Sequence, residues 1–140
     1  MYSKILVALD LEETSSTRKA MPTALSLSRC FSAKLAFVYV VPGSQLAVEG
    51  QWSGLALRHI LDAARNRLTK LTDEYVDGAD AEHFVTSGSV YAGILEAAEQ
   101  FDADLIVLAS HRPEMKDYLL GANASRVVRH ARCSVMVVRD

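Results

Sequence analysis

The sequence predicts an open, doubly wound α/β fold, and three observations predict it. Short apolar runs of five to seven residues alternate with longer segments of helical periodicity, giving the order β-α-β-α-β-α-β-α-β. The runs are almost continuously hydrophobic rather than strictly alternating, as in parallel strands covered on both faces. Crossovers between parallel strands through a helix are right-handed in nearly all cases, which leaves an open sheet with helices on both faces as the economical topology.

The first strand is predicted at Ile5 to Leu9, the second at Leu35 to Val41, the fourth at Asp104 to Ala109 and the fifth at Val135 to Arg139; Glu82 to Thr86 is a weaker third. Ser15-Ser16-Thr17 offers N-cap hydroxyls for the first helix. Pro22 is expected to bend that helix or delay its start, because an interior proline removes one hydrogen bond. In the second helix Leu57, Ile60, Leu61, Ala64, Leu68, Leu71 and Tyr75 form one apolar stripe, opposite Arg58, Asp62, Arg65, Lys70 and Asp73. Ile94, Leu95, Ala98 and Phe101 repeat the pattern in the third. Pro42 to Ser53 is the one long irregular stretch, of a length more often functional than merely connecting.

Residues 1–140 are expected to form one domain burying roughly two-thirds of the surface of the unfolded chain. Fifteen basic and 17 acidic side chains give a net charge of −2, so bulk charge directs the protein toward neither nucleic acid nor a membrane surface. The run Ile5 to Leu9 is too short for a signal peptide or a membrane span, and a soluble cytoplasmic protein is expected. Cys30 and Cys133 lack zinc or redox spacing and are expected to be reduced core thiols, with no metal site.

Ligands of open α/β sheets bind beyond the carboxyl ends of the strands, where strand order reverses. Those ends fall at Asp10, at Val40-Val41, and at Ala109 followed by Ser110, His111 and Arg112. A helix starting at about Gly121 or Ala122 would present unpaired N–H groups and a partial positive charge to an anion. Gly121 permits close approach or a positive φ, Asn123 and Ser125 add donors, and His111, Arg112 and Lys116 add cationic character. The alternative is a plain helix start flanked by solvated charges. Asp10 likewise either meets ribose hydroxyls or a cation, or caps its own turn.

The chain has neither Gly-x-x-x-x-Gly-Lys-Ser/Thr nor Gly-x-Gly-x-x-Gly after the first strand, which excludes the phosphate loops of P-loop NTPases and dinucleotide dehydrogenases. A phospho-receiver domain fails at three positions: the acid pair, the phosphoacceptor and the late lysine. His59, His83 and His130 stand without a nearby nucleophile, and no catalytic residues are assigned.

Ile5 to Asp10, Tyr39-Val40-Val41-Pro42, Gly88-Ser89-Val90, Ala109-Ser110-His111-Arg112-Pro113, Tyr118-Leu119-Leu120-Gly121 and Val127-Val128-Arg129-His130-Ala131 together resemble the universal stress protein family, in its small single-domain F/G-type branch. The resemblance implies a Rossmann-like domain with a five-stranded parallel sheet and four helices, binding ATP between the first and fourth strands. By that resemblance Asp10 meets the ribose and adenine region and the Val40 backbone meets adenine. The family's phosphate loop, Gly-x2-Gly-x9-Gly followed by Ser or Thr, falls on Ala109, Arg112, Gly121 and Ala122. Two glycines are replaced, the loop is one residue shorter, and Ala122 has no hydroxyl. Arg112 could replace backbone approach with a forked cationic contact, and Asn123 could supply the lost donor.

The expected function is an adenine-nucleotide-dependent sensor or switch in stress response, using ATP, ADP or AMP, with slow hydrolysis or none and Asp10 the only candidate Mg²⁺ contact. The alternative is a dimeric interaction module that has lost nucleotide binding. In both readings the exposed edge of Ser134 to Arg139 pairs with a second copy to form a homodimer.

Overall fold

The computed structural model describes residues 1–12, 15–43, 54–77, 80–110 and 121–139. Five parallel strands, β1 (Lys4–Ala8), β2 (Lys34–Pro42), β3 (Glu82–Gly88), β4 (Leu105–Ala109) and β5 (Ser134–Val138), form one sheet in the order β3-β2-β1-β4-β5. Among the described residues four helices connect them: α1 (Ser15–Phe31), α2 (Gly54–Asp73), α3 (Val90–Phe101) and α4 (Ala122–His130). The chain winds outward from β1 in both directions, so the order reverses between β1 and β4.

Alternation along each strand divides the apolar residues into two layers. Ile5, Val7, Phe37, Tyr39, Val41, Leu105 and Val107 pack against Ala20, Met21 and Ala24 of α1 and Ala64 and Leu68 of α2. Leu6, Ala36, Val38, Val40, Ile106 and Leu108 pack against Ile94, Ala97 and Phe101 of α3 and Ala124 and Val127 of α4. The double cover explains the unbroken hydrophobic runs of the inner strands. β3, an outer strand, is exposed at Glu82 and half-buried from His83 on, and it extends two residues past its expected end at Thr86.

Several details correct the sequence reading. α1 runs through Pro22, which is exposed; the carbonyl it deprives of a partner belongs to exposed Arg18, where water can reach it. Ser15 and Thr17 lie inside the first turn of α1 rather than before it, and the preceding position falls outside the described residues. Cys30 is exposed near the end of α1 rather than in the core, and Cys133 is half-buried, with burial pushing its thiol up. Residues 44–53 also fall outside the described residues.

Two local features fix the frame. Gly93 lets α3 lie close on the sheet, since a Cβ there would sit 2.6 Å from Val40 Cγ2 and 2.9 Å from Thr86 Cγ2. At the amino ends of the inner strands, Asp104 accepts hydrogen bonds from Ser3 N–H (2.8 Å), Ser3 Oγ–H (2.9 Å) and Lys4 N–H (3.0 Å), tying the start of β4 to the start of β1. Burial pushes the Asp104 carboxyl up, but these hydrogen bonds to its charged form outweigh it and hold the group below its ordinary value.

Candidate functional site

At the carboxyl ends of β1 and β4 the sheet opens into a notch of about 200 Å³. Ala8, Leu9 and Asp10 form one side, Leu108, Ala109 and Ser110 the next, and Val90, Ile94 and Gly121 through Ala124 close it from the helices. It exists because β1 and β4, though paired side by side, are followed by helices on opposite faces of the sheet.

Two helices bring their amino ends to this rim. In α4 the first helical bond runs from Ser125 N–H to Gly121 C=O at 2.9 Å, so the N–H groups of Ala122, Asn123 and Ala124 have no acceptor within the helix. In α3 the corresponding bond runs from Gly93 N–H to Ser89 C=O at 3.0 Å, and Val90, the first residue of α3, lines the notch. Both dipoles therefore present partial positive charge to the same opening. Gly121 N–H is held by Ser110 Oγ at 3.3 Å, which ties the start of α4 to the end of β4. The φ of Gly121 is −56°, so left-handed backbone is not what that glycine provides. Left-handed backbone occurs instead at Gly88, with φ 113°, which turns the chain from β3 into α3.

Asp10 is exposed at the rim, and its Oδ1 accepts the N–H of Glu12 at 2.9 Å. It thus caps its own turn, and a second carboxylate oxygen remains for other contacts. Beneath this loop, burial raises the pKa of the Tyr39 hydroxyl, Glu12 and Asp10 add to the rise, and Arg67 opposes it.

Of the residues expected to form the site, the fold brings Asp10, Ala109, Gly121, Ala122 and Asn123 together around one notch. Val40 does not line it, and its side chain faces α3. Its backbone has a different outlook. Val38 C=O accepts Leu9 N–H at 3.0 Å, and β1 pairs no further than Ala8 with Val38. Val40, two residues on, directs its N–H and C=O to that same side, above the end of β1. His111 and Arg112 lie outside the described residues. Ser110, which the sequence placed just beyond the fourth strand without giving it a role, lines the notch, and the apolar wall of Ala8, Val90, Ile94, Leu108 and Val127 was not anticipated. A small residue ending β1 on the α3 side, Ala8, was the available signal, but only the pairing of β1 with β4 gives it meaning.

A doubly wound parallel sheet with an open notch at its switch point defines the class: a Rossmann-like α/β domain. A model of the universal stress protein family matches residues 1–139, and the chain belongs to that family. It is 32% identical over 143 residues to Universal stress protein G of Shigella flexneri, covering 99% of this chain and 100% of that one. Universal stress protein UspA from Lactobacillus plantarum superposes with a TM-score of 0.64 at 25% identity, over 99% of this chain and 98% of that one. A universal stress protein solved in complex with cAMP superposes with a TM-score of 0.62 at 22% identity, over 99% of this chain and 97% of the other.

Proposed function

We propose that the protein binds an adenine nucleotide, ATP foremost, across the notch and acts in the cytoplasm as a stress-response sensor or switch with little or no hydrolysis. The observation that carries this reading is that Asp10 and the amino end of α4, at Gly121, Ala122 and Asn123, border one opening between β1 and β4. The carboxylate suits ribose hydroxyls, and the α4 N–H groups suit phosphate. A notch of about 200 Å³ is smaller than the usual ligand cavity of about 300–1,000 Å³, so it holds one part of the nucleotide. The remainder extends along the strand ends, where the backbone of Val40 offers a donor and an acceptor to the adenine edge. Arg112 is assigned to the phosphates by family resemblance, and His111 by its place in the sequence just beyond the fourth strand. Of the described lining residues only Asp10, Ser110 and Asn123 have polar side chains, and Asp10 already serves its own turn, which argues for slow turnover. The relative solved with cAMP supports an adenine nucleotide as the ligand class.

Calorimetric titration of the full chain with ATP, ADP, AMP and cAMP, in Mg²⁺ and in EDTA, tests the proposal. Asp10→Ala and Gly121→Asp should each weaken ATP about 10- to 100-fold, on the order of one hydrogen bond to a charged group, while Ala122→Ser should tighten it a few-fold. A wild-type protein that binds none of the four at millimolar concentration overturns the reading. That outcome would favour the second reading, a dimeric interaction module without a nucleotide, which the missing hydroxyl at Ala122 supports.

A further inference from the structure

The loop after β1 is gripped from outside. Arg67, on α2, donates through Nη1 to Glu12 Oε1 at 3.0 Å and through Nη2 to the carbonyl oxygen of Leu11 at 3.2 Å. The Leu11 carbonyl and the Glu12 N–H are the two ends of one peptide unit, and that N–H is the donor to Asp10 Oδ1 at 2.9 Å. A peptide unit is planar, with its C=O and N–H pointing in opposite directions. Holding the oxygen therefore aims the hydrogen, and the aimed hydrogen orients the carboxylate.

We infer that Arg67 is a positioning residue: through the Leu11–Glu12 peptide it fixes the direction in which Asp10 presents its carboxylate to the notch. Leu9 and Leu11 are both 6% exposed and anchor the loop from below, leaving rotation of the intervening peptides as the freedom to be removed. The forked guanidinium is suited to this because it engages the backbone and the Glu12 carboxylate at once, which an ammonium does less well. Fold stability is not the purpose. The side chains of Arg67 and Glu12 are 54% and 55% exposed, and exposed ion pairs contribute little to it. The ligand consequence rests on the nucleotide reading above; the geometric claim stands without it.

The test measures amide hydrogen exchange of Glu12 by NMR in the ligand-free protein, together with ATP affinity. In Arg67→Met the Glu12 amide should exchange roughly tenfold faster and ATP should bind about 3- to 10-fold more weakly, the scale of one lost hydrogen bond, with the melting temperature near wild type. Arg67→Lys and Glu12→Ala should fall between, since each keeps part of the grip; they also serve if Arg67→Met folds poorly. Unchanged exchange of the residue-12 amide across the three variants, relative to its intrinsic rate, overturns the inference. Wild-type ATP affinity in Arg67→Met overturns its ligand consequence and leaves the proposed function standing. Failure of the wild type to bind any nucleotide removes the proposed function, while Glu12 exchange still decides the role of Arg67.

Discussion

At position 93 there is no room for a methyl group. Gly93→Ala would drive its Cβ against both Val40 and Thr86, so α3 must lift or β2 must give way. We expect a loss of about 1–3 kcal/mol in urea unfolding, the usual cost of overpacking a core. Nothing in the sequence around Gly93 announces this, because the two obstructing side chains lie on other elements. His83 is also decided by its neighbours. It shares a 2.8 Å hydrogen bond with Thr72 and packs against Phe37. Burial lowers its pKa below 6.5 and Arg65 lowers it further, against raising contributions from Asp73 and a hydrogen bond with the Ala81 backbone. On acidification the unfolded chain takes up this proton before the folded one. The contribution of His83 is therefore whole above pH 6.5 and is lost as pH falls through the folded value. Unfolding free energy measured from pH 7.5 to 5 should decline in the wild type, and less steeply in His83→Gln.

Among the elements, α1 carries the clearest local conflict. Pro22 sits at its eighth position on the solvent face, and the helix continues because α1 buries Ala20, Met21 and Ala24 against the sheet. Pro22→Ala restores a hydrogen bond to Arg18 C=O and should raise stability by roughly 1–2 kcal/mol, part of the cost of an interior proline, read as a higher melting temperature. Tertiary packing overrode a local signal here, which is why the sequence alone suggested a bend. The inner strands were legible for the opposite reason: in β1, β2 and β4 every rule agrees, since a doubly covered strand is apolar on both sides. Glu82–Gly88 read weakly because an edge strand is half-exposed. The ends of the elements were legible enough to bring Asp10 and Gly121 to one notch, whereas the Arg67 grip depends on a contact across 55 residues.

At the scale of the molecule, the two sheet edges differ. At β3, Arg65 donates to the carbonyl oxygen of His83 at 2.9 Å and occupies an edge acceptor. At β5, Met136 is 36% exposed and Val128 of the adjacent α4 is 47% exposed. We propose that the homodimer expected from the sequence forms along β5. Light scattering at micromolar concentration should give a dimer mass, and Met136→Lys should shift it toward monomer with the far-ultraviolet spectrum retained. A monomeric wild type would rule this out.

The Asp104 tether gives the sheet a fixed base. With the lower ends of β1 and β4 stapled through Ser3 and Lys4, the two strands cannot slide past one another or part at the bottom. Above that staple the pairing runs from Ile5 with Leu105 to Ala8 with Leu108, so only the tips beyond it, where the notch opens, are left without a partner strand between them.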